Sequence, residues 1–189
     1  MCIRDRPKNS VLIFIDMQLA IDDPGWGTRN NPDAEKWCTQ LLARWRETGA
    51  PVVHVKHNST ESTSFFRPDL PTNAFKPELT PRDGETIIEK TVNSAFVDPA
   101  LSNYLDGNGH RSLLIAGVIT NNSLEASVRH AGNLGYDVWL AKDGCFTFGR
   151  DDLNGVHRSA QEIHDISLMN LHEEYCTVTS ARAILSAGD

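Results

Sequence analysis

The chain has 189 residues, of which 40% are hydrophobic, and 25 Asp and Glu outweigh 18 Lys and Arg for a formal net charge of −7. That length suits one globular domain with a sizeable core. The acidic balance excludes the basic face that nucleic acid or an anionic membrane surface would demand, and no apolar run approaches the roughly 20 residues that span a bilayer.

Met1–Arg6 is polar and aperiodic, and Pro7 separates it from the first apolar run. It is expected to be a non-native or disordered leader, with a single domain over residues 7–189. No continuous apolar segment followed by small residues opens the chain, so no secretory signal is expected. Cys2, Cys38, Cys145 and Cys176 are scattered, without a Cys-x-x-Cys pair. Reduced thiols and a cytoplasmic location are the expectation, rather than a disulfide framework or a zinc site.

Val11–Ile15 reads as a buried strand ending at Asp16. Ala34, Trp37, Cys38, Leu41, Leu42 and Trp45 recur at helical spacing, and Gly49 closes that helix. Residues 51–55 form a second strand. A long loop from about His57 to Glu85 carries four prolines together with Phe65, Phe66 and Phe75. Loops of that length are usually functional or disordered, and the aromatics favour an ordered one that packs on something. Thr86–Lys90 is the third strand. Asp98-Pro99 opens a helix, since Asp caps free N–H groups and Pro is tolerated at the first helical position.

Ser112–Val118 is the fourth strand. After the short link 119–122, Ser123 opens an amphipathic helix with Leu124, Val128, Ala131 and Leu134 on one side. Asn122 and Glu125 have the spacing of a capping box. Residues 137–141 form a fifth strand. A helix around Ala160, Ile163, Ile166 or Ser167, and Leu171 comes next, then a sixth strand at 175–178 and a short terminal helix. The polar stretch 149–156 carries no readable chemistry. The alternation predicts an α/β fold: a three-layer α/β/α sandwich around a six-stranded, mostly parallel sheet. In such sheets the ligand crevice lies beyond the carboxyl ends of the strands. Asp16, Lys90 and Ser123 each sit at or just past such an end.

Three blocks occur in order: Phe14-Ile-Asp16-Met-Gln18, Glu89-Lys90-Thr-Val-Asn-Ser94-Ala-Phe96, and Gly117-Val-Ile-Thr120-Asn-Asn-Ser123 continuing to Arg129, Ala131 and Gly135-Tyr136. Together they resemble the isochorismatase-like cysteine hydrolases over roughly residues 9 to 186. The resemblance implies an Asp–Lys–Cys triad that cleaves amide, ureido or related C–N bonds in a small molecule. It also implies homo-oligomers, dimers or tetramers, and no cofactor. Residue by residue, Asp16 becomes the general base, Lys90 its charge partner, and Ser123 stands where the family has its cysteine. A cis peptide is expected at Val118–Ile119, with the Ile119 and Ser123 N–H groups forming an oxyanion hole.

Serine changes the chemistry. An ammonium next to a thiol lowers its pKa, but a hydroxyl titrates too high to ionise that way. Ser123 needs a base within hydrogen-bond reach. Three readings stay open: a serine hydrolase, a Cys-independent vinyl-ether hydrolase working through Asp16, and a weak relative or pseudoenzyme that binds ligand. An engineered Cys→Ser exchange is a fourth origin of the residue.

Trp26, His57, Phe65, Asn93 and Phe96 are the expected substrate-binding residues, with His57 orienting a substrate carbonyl and Phe96 lining the pocket by analogy. His54 and His57 do not make a metal site, because the Asp-x-His of the metal-dependent relatives is missing. Cys145, past the fifth strand, is expected to be a buried apolar filler rather than a substitute thiol.

Overall fold

Apolar runs too short for helices pair side by side into one parallel sheet. In the computed structural model, which describes residues 9–187, these are β1 (Val11–Ile15), β2 (Val52–His57), β3 (Thr86–Lys90), β4 (Ser112–Val118), β5 (Asp137–Phe146) and, after a two-stranded hairpin of β6 (Arg150–Asp151) and β7 (His157–Arg158), β8 (Thr177–Thr179). The sheet order is β3-β2-β1-β4-β5-β8, with every pair parallel. The winding reverses between β1 and β4, which places a crevice beyond their carboxyl ends. The expected leader, residues 1–6, lies outside the described residues.

Both faces of the sheet are covered, which is why its central strands are apolar throughout. Alternate side chains divide between two cores. Leu12, Phe14, Leu114 and Ala116 meet Leu41, Leu42 and Trp45 of α1 (Ala34–Thr48) and Ile184 of α5 (Ala181–Ser186). Val11, Ile13, Ile15, Leu113 and Ile115 meet Leu101 and Leu105 of α2 (Ala100–Gly107), Val128 and Ala131 of α3 (Glu125–Asn133), and Leu168 and Leu171 of α4 (Ala160–Leu171). Each such buried aliphatic side chain stabilises the fold by roughly 1.5–3 kcal/mol.

Gly49 ends α1 as expected, at φ 68°, with its N–H returned to the Arg46 and Trp45 carbonyls. A less obvious glycine is Gly117. It has φ 126°, and a Cβ there would lie 2.2 Å from the Ile15 carbonyl oxygen and 2.7 Å from the Ile15 nitrogen. β4 must press this closely on β1 just before the residues of the site. Gly117→Ala is therefore expected to destabilise the fold by at least ~3 kcal/mol, because backbone cannot yield as a side-chain tip can. Urea unfolding of the purified variant measures it.

The elements differ from expectation at several places: β2 is Val52–His57 rather than 51–55, and β8 is Thr177–Thr179 rather than 175–178. β5 runs on to Phe146 because a register shift between Ile115 and Gly117 lets Gly117 and Val118 pair with Cys145 and Phe146. The polar stretch after it folds back as the β6–β7 hairpin. The helix expected from Ser123 starts at Glu125, after a wide turn over Thr120–Leu124. No capping box forms there: Leu124 occupies the N-cap of α3 without a side-chain cap bond, and Glu125 bonds Arg129 and Ser167 instead. Leu134 is half exposed, just past the end of α3, and on α4 it is Ser167, not Ile166, that faces inward.

Candidate active site

Three strand ends deliver the three polar groups to one place. Asp16 follows β1 directly at φ 55°, a left-handed conformation that Asp tolerates better than most residues. Its N–H bonds the Val55 carbonyl and its own carbonyl takes the Gln18 N–H, so the turn away from the sheet is immediate. Lys90 is the last residue of β3. Along that strand Ile88 and Lys90 point inward while Ile87 and Glu89 face water. Ser123 sits in the turn after β4, following a cis peptide between Val118 and Ile119. All three side chains are buried: Asp16 is 3%, Lys90 4% and Ser123 7% exposed.

The Lys90 ammonium is the hub. Its Nζ lies 2.7 Å from Asp16 Oδ2, 3.2 Å from Ser123 Oγ and 3.2 Å from His57 Nδ1. Burial pushes the Asp16 carboxyl above the usual carboxylate range, against the pull of Lys90. Burial likewise lowers the Lys90 pKa, against the pull of Asp16. Asp16 Oδ1 is buried without a formed hydrogen bond, although the Ser123 hydroxyl is near enough to favour the charged carboxylate. A raised pKa and a free lone pair are what a proton acceptor requires. Ser123 Oγ also lies 3.5 Å from Asn93 Oδ1, at the outer limit of a hydrogen bond.

His57 turns its Nδ1 toward Lys90. Its pKa is lowered to about 4 by burial and then by Lys90, so the ring is neutral at pH 7. The β2–β3 register sets His57 beside Lys90. His54 is committed elsewhere, 2.9 Å from Glu85 Oε2, so the two histidines share no ligand.

The aromatic side chains divide. Phe66 packs edge-on against His57 and Trp26. Trp26 in turn stacks on Phe148, meets Phe65 edge-on and donates its indole N–H to the Ala20 carbonyl. Trp26 and Phe65 thus join a partly exposed aromatic wall that reaches Lys90 through Phe66 and His57. Phe96 is a correction. It is buried in the core on the opposite face of the sheet, against Tyr136 and His130. A ring in the Lys90 block reads equally well as wall or core, and packing decides for core. Cys145 is fully buried with its thiol bonded to the Ala141 carbonyl, and burial pushes its pKa far up, so it supplies no thiolate.

Several supporting residues escaped the sequence reading. Gln18, fully buried, accepts the His57 N–H at 2.7 Å and donates to the His57 and Asn73 carbonyls. Asn73 donates to the carbonyls of His57 and Phe66. Together they lace the end of β2 to the long loop. Gln18 was visible as a polar residue two positions past Asp16; Asn73, in an irregular loop, gave no signal. On the other side, α4 braces the Ser123 turn. His164 Nδ1 lies 3.0 Å from Thr120 Oγ1, and Ser167 Oγ donates to Glu125.

The chain is thus a parallel α/β sandwich with a buried Asp–Lys–Ser cluster at its switch point. The profile of the Isochorismatase domain matches residues 10–183, and the chain belongs to the isochorismatase family. A crystal structure of an isochorismatase-family protein from Chromobacterium violaceum ATCC 12472 is 52% identical, with TM-score 0.91 over 98% of this chain and 95% of that one. The isochorismatase family protein YrdC of Bacillus subtilis (strain 168) is 37% identical over 95% of this chain and 96% of its own. The ureidoacrylate amidohydrolase RutB of Agrobacterium fabrum (strain C58) is 32% identical over a shorter stretch, 41% of this chain and 34% of its own. The protein is a hydrolase of this family. Among the described residues no helix is long and apolar enough to cross a membrane.

Proposed function

We propose that the protein hydrolyses an amide, ureido or related C–N bond of a small molecule through an Asp16–Lys90–Ser123 triad. The observation that carries this reading is the hub at Lys90, which holds both the base and the nucleophile within hydrogen-bond distance. A relative named as an amidohydrolase supports the bond type.

Ser123 Oγ attacks the carbonyl carbon while its proton passes to Asp16 Oδ1. A C–O bond forms, and the carbonyl π pair moves onto oxygen. The Ile119 and Ser123 N–H groups hold that oxyanion. Collapse breaks the C–N bond, and the departing nitrogen takes the proton from Asp16. Water then attacks the acyl-serine ester, giving its proton to Asp16. The carboxylic acid leaves as Ser123 is re-protonated. Lys90 stays charged throughout, stabilising the Asp16 carboxylate between turns. The raised Asp16 pKa answers the weakness of a carboxylate as base for a hydroxyl, since its proton affinity exceeds that of an ordinary carboxyl. The protein acts as a homo-oligomer in this reading.

Incubation with a panel of activated amides and esters, quenched in acid, tests the covalent step. Intact mass and peptide mapping are expected to find an acyl group on Ser123. Turnover with no adduct on Ser123, in both steady-state and rapid-quench samples, would count against a covalent mechanism.

A further inference from the structure

An ammonium carries three N–H donors and no acceptor. At Lys90 all three have partners: Asp16 Oδ2, Ser123 Oγ and His57 Nδ1. The nitrogen of His57 that faces it must therefore offer a lone pair. We propose that His57 is a positioning residue whose uncharged imidazole accepts the third N–H of Lys90 and so commits the other two to Asp16 and Ser123. The proposal rests on the reading of Ser123 as nucleophile.

Its consequence is an assigned proton on Ser123. Because Oγ accepts from Lys90, its own hydrogen must point elsewhere. The acceptors on offer are Asp16 Oδ1, buried and unpartnered, and Asn93 Oδ1 at 3.5 Å. The one hydrogen bond the hydroxyl donates, to Asn93, is long, and the buried carboxylate is the stronger acceptor, so the hydroxyl is expected to turn toward its base. Without His57, the third N–H must seek another partner, and the ammonium is free to rotate away from this arrangement. A charged His57 would be worse, turning an acceptor into a second cation.

The ring is built to stay put. Gln18 grips both the N–H and the carbonyl of the His57 backbone, Asn73 takes the same carbonyl, and Phe66 flanks the imidazole edge-on. The titratable groups facing it are Lys90 from β3 and, behind it, Asp16 from β1; Gln18, Asn73 and Phe66 are uncharged. Burial and Lys90 together keep it neutral, with its charge change displaced to about pH 4.

The test uses ¹⁵N-labelled imidazole NMR on the full chain. His57 is expected to be neutral at pH 7 with the proton on Nε2, and to titrate near pH 4. In Lys90→Met, or in Lys90→Gln if the first folds poorly, the titration is expected to move up toward the ordinary 6.5. A proton on Nδ1 at pH 7, or a titration unmoved by both substitutions, would overturn the proposal.

A second arm places a reactive probe at the elbow. In a Ser123→Cys background, the rate of thiol alkylation by iodoacetamide is followed by peptide mapping. His57→Asn keeps an acceptor and is expected to hold the rate within about threefold, whereas His57→Leu is expected to lower it about tenfold, the worth of one charge-assisted hydrogen bond. Equal rates in His57→Leu and the parent background would refute the positioning role. If instead Ser123→Ala keeps full turnover while the NMR result stands, the nucleophile reading has failed and the His57–Lys90 contact has not.

Discussion

Ser123→Ala is expected to lower kcat/KM by at least ~10³-fold on any amide or ester that the parent turns over, because the attacking atom is gone while binding groups remain. Ser123→Cys is expected to keep or raise activity. Lys90 already lies 3.2 Å from the Oγ position, and an ammonium at that distance lowers the pKa of a thiol far more usefully than that of a hydroxyl. Steady-state kinetics of the three proteins side by side decides the matter. Equal activity in Ser123→Ala and the parent would remove covalent catalysis and leave Asp16 as an acid in the manner of the vinyl-ether hydrolases. Activity confined to Ser123→Cys would mark a site disabled in the parent.

Lys90→Met is expected to cost ~3–5 kcal/mol of stability at pH 7, since it leaves a carboxylate buried without its counter-charge. Methionine fills most of the volume, so the loss reports electrostatics rather than a cavity. The pH dependence has a definite sign. The folded-state pKa of Asp16 is already raised by burial, and deleting Lys90 removes the main opposing influence and raises it further. A carboxyl with a raised folded pKa adds stability that is fully present below its unfolded pKa and is lost as pH rises through the folded one. Lys90→Met should therefore be more stable near pH 4 than at pH 7. Asp16→Asn/Lys90→Met should lose less than the two single losses added together. Urea midpoints at both pH values measure this, and a Lys90→Met variant as stable at pH 7 as the parent would contradict it.

Much of the fold was legible because periodicity and chain punctuation agree in this sequence. Val11–Ile15, Thr86–Lys90 and Ser112–Val118 appear with the boundaries read from their apolar runs. The clustering of Asp16, Lys90 and Ser123 came from three strand ends and one topological rule. What escaped was decided by tertiary contact. Asn122 and Glu125 spell a cap, yet Ser167 from a helix about forty residues away claims the glutamate. Phe96 sits in a functional block but packs with Tyr136. The role of His57 is set by a cross-strand register with Lys90 that no local pattern encodes. Gln18 and Asn73 act through backbone groups, and a sequence does not display which carbonyl a side-chain amide will reach.

Lys90 stands on β3, at the margin of the sheet, with β2 as its one strand neighbour. Margins fray more readily than centres. A brief peeling of this single strand would carry the ammonium away from the carboxylate and the alcohol while the other five strands stayed paired. The strapping of His57 by Gln18 and Asn73 holds the neighbouring strand in place where β2 hands over to the loop, and so steadies the one strand on which β3 rests.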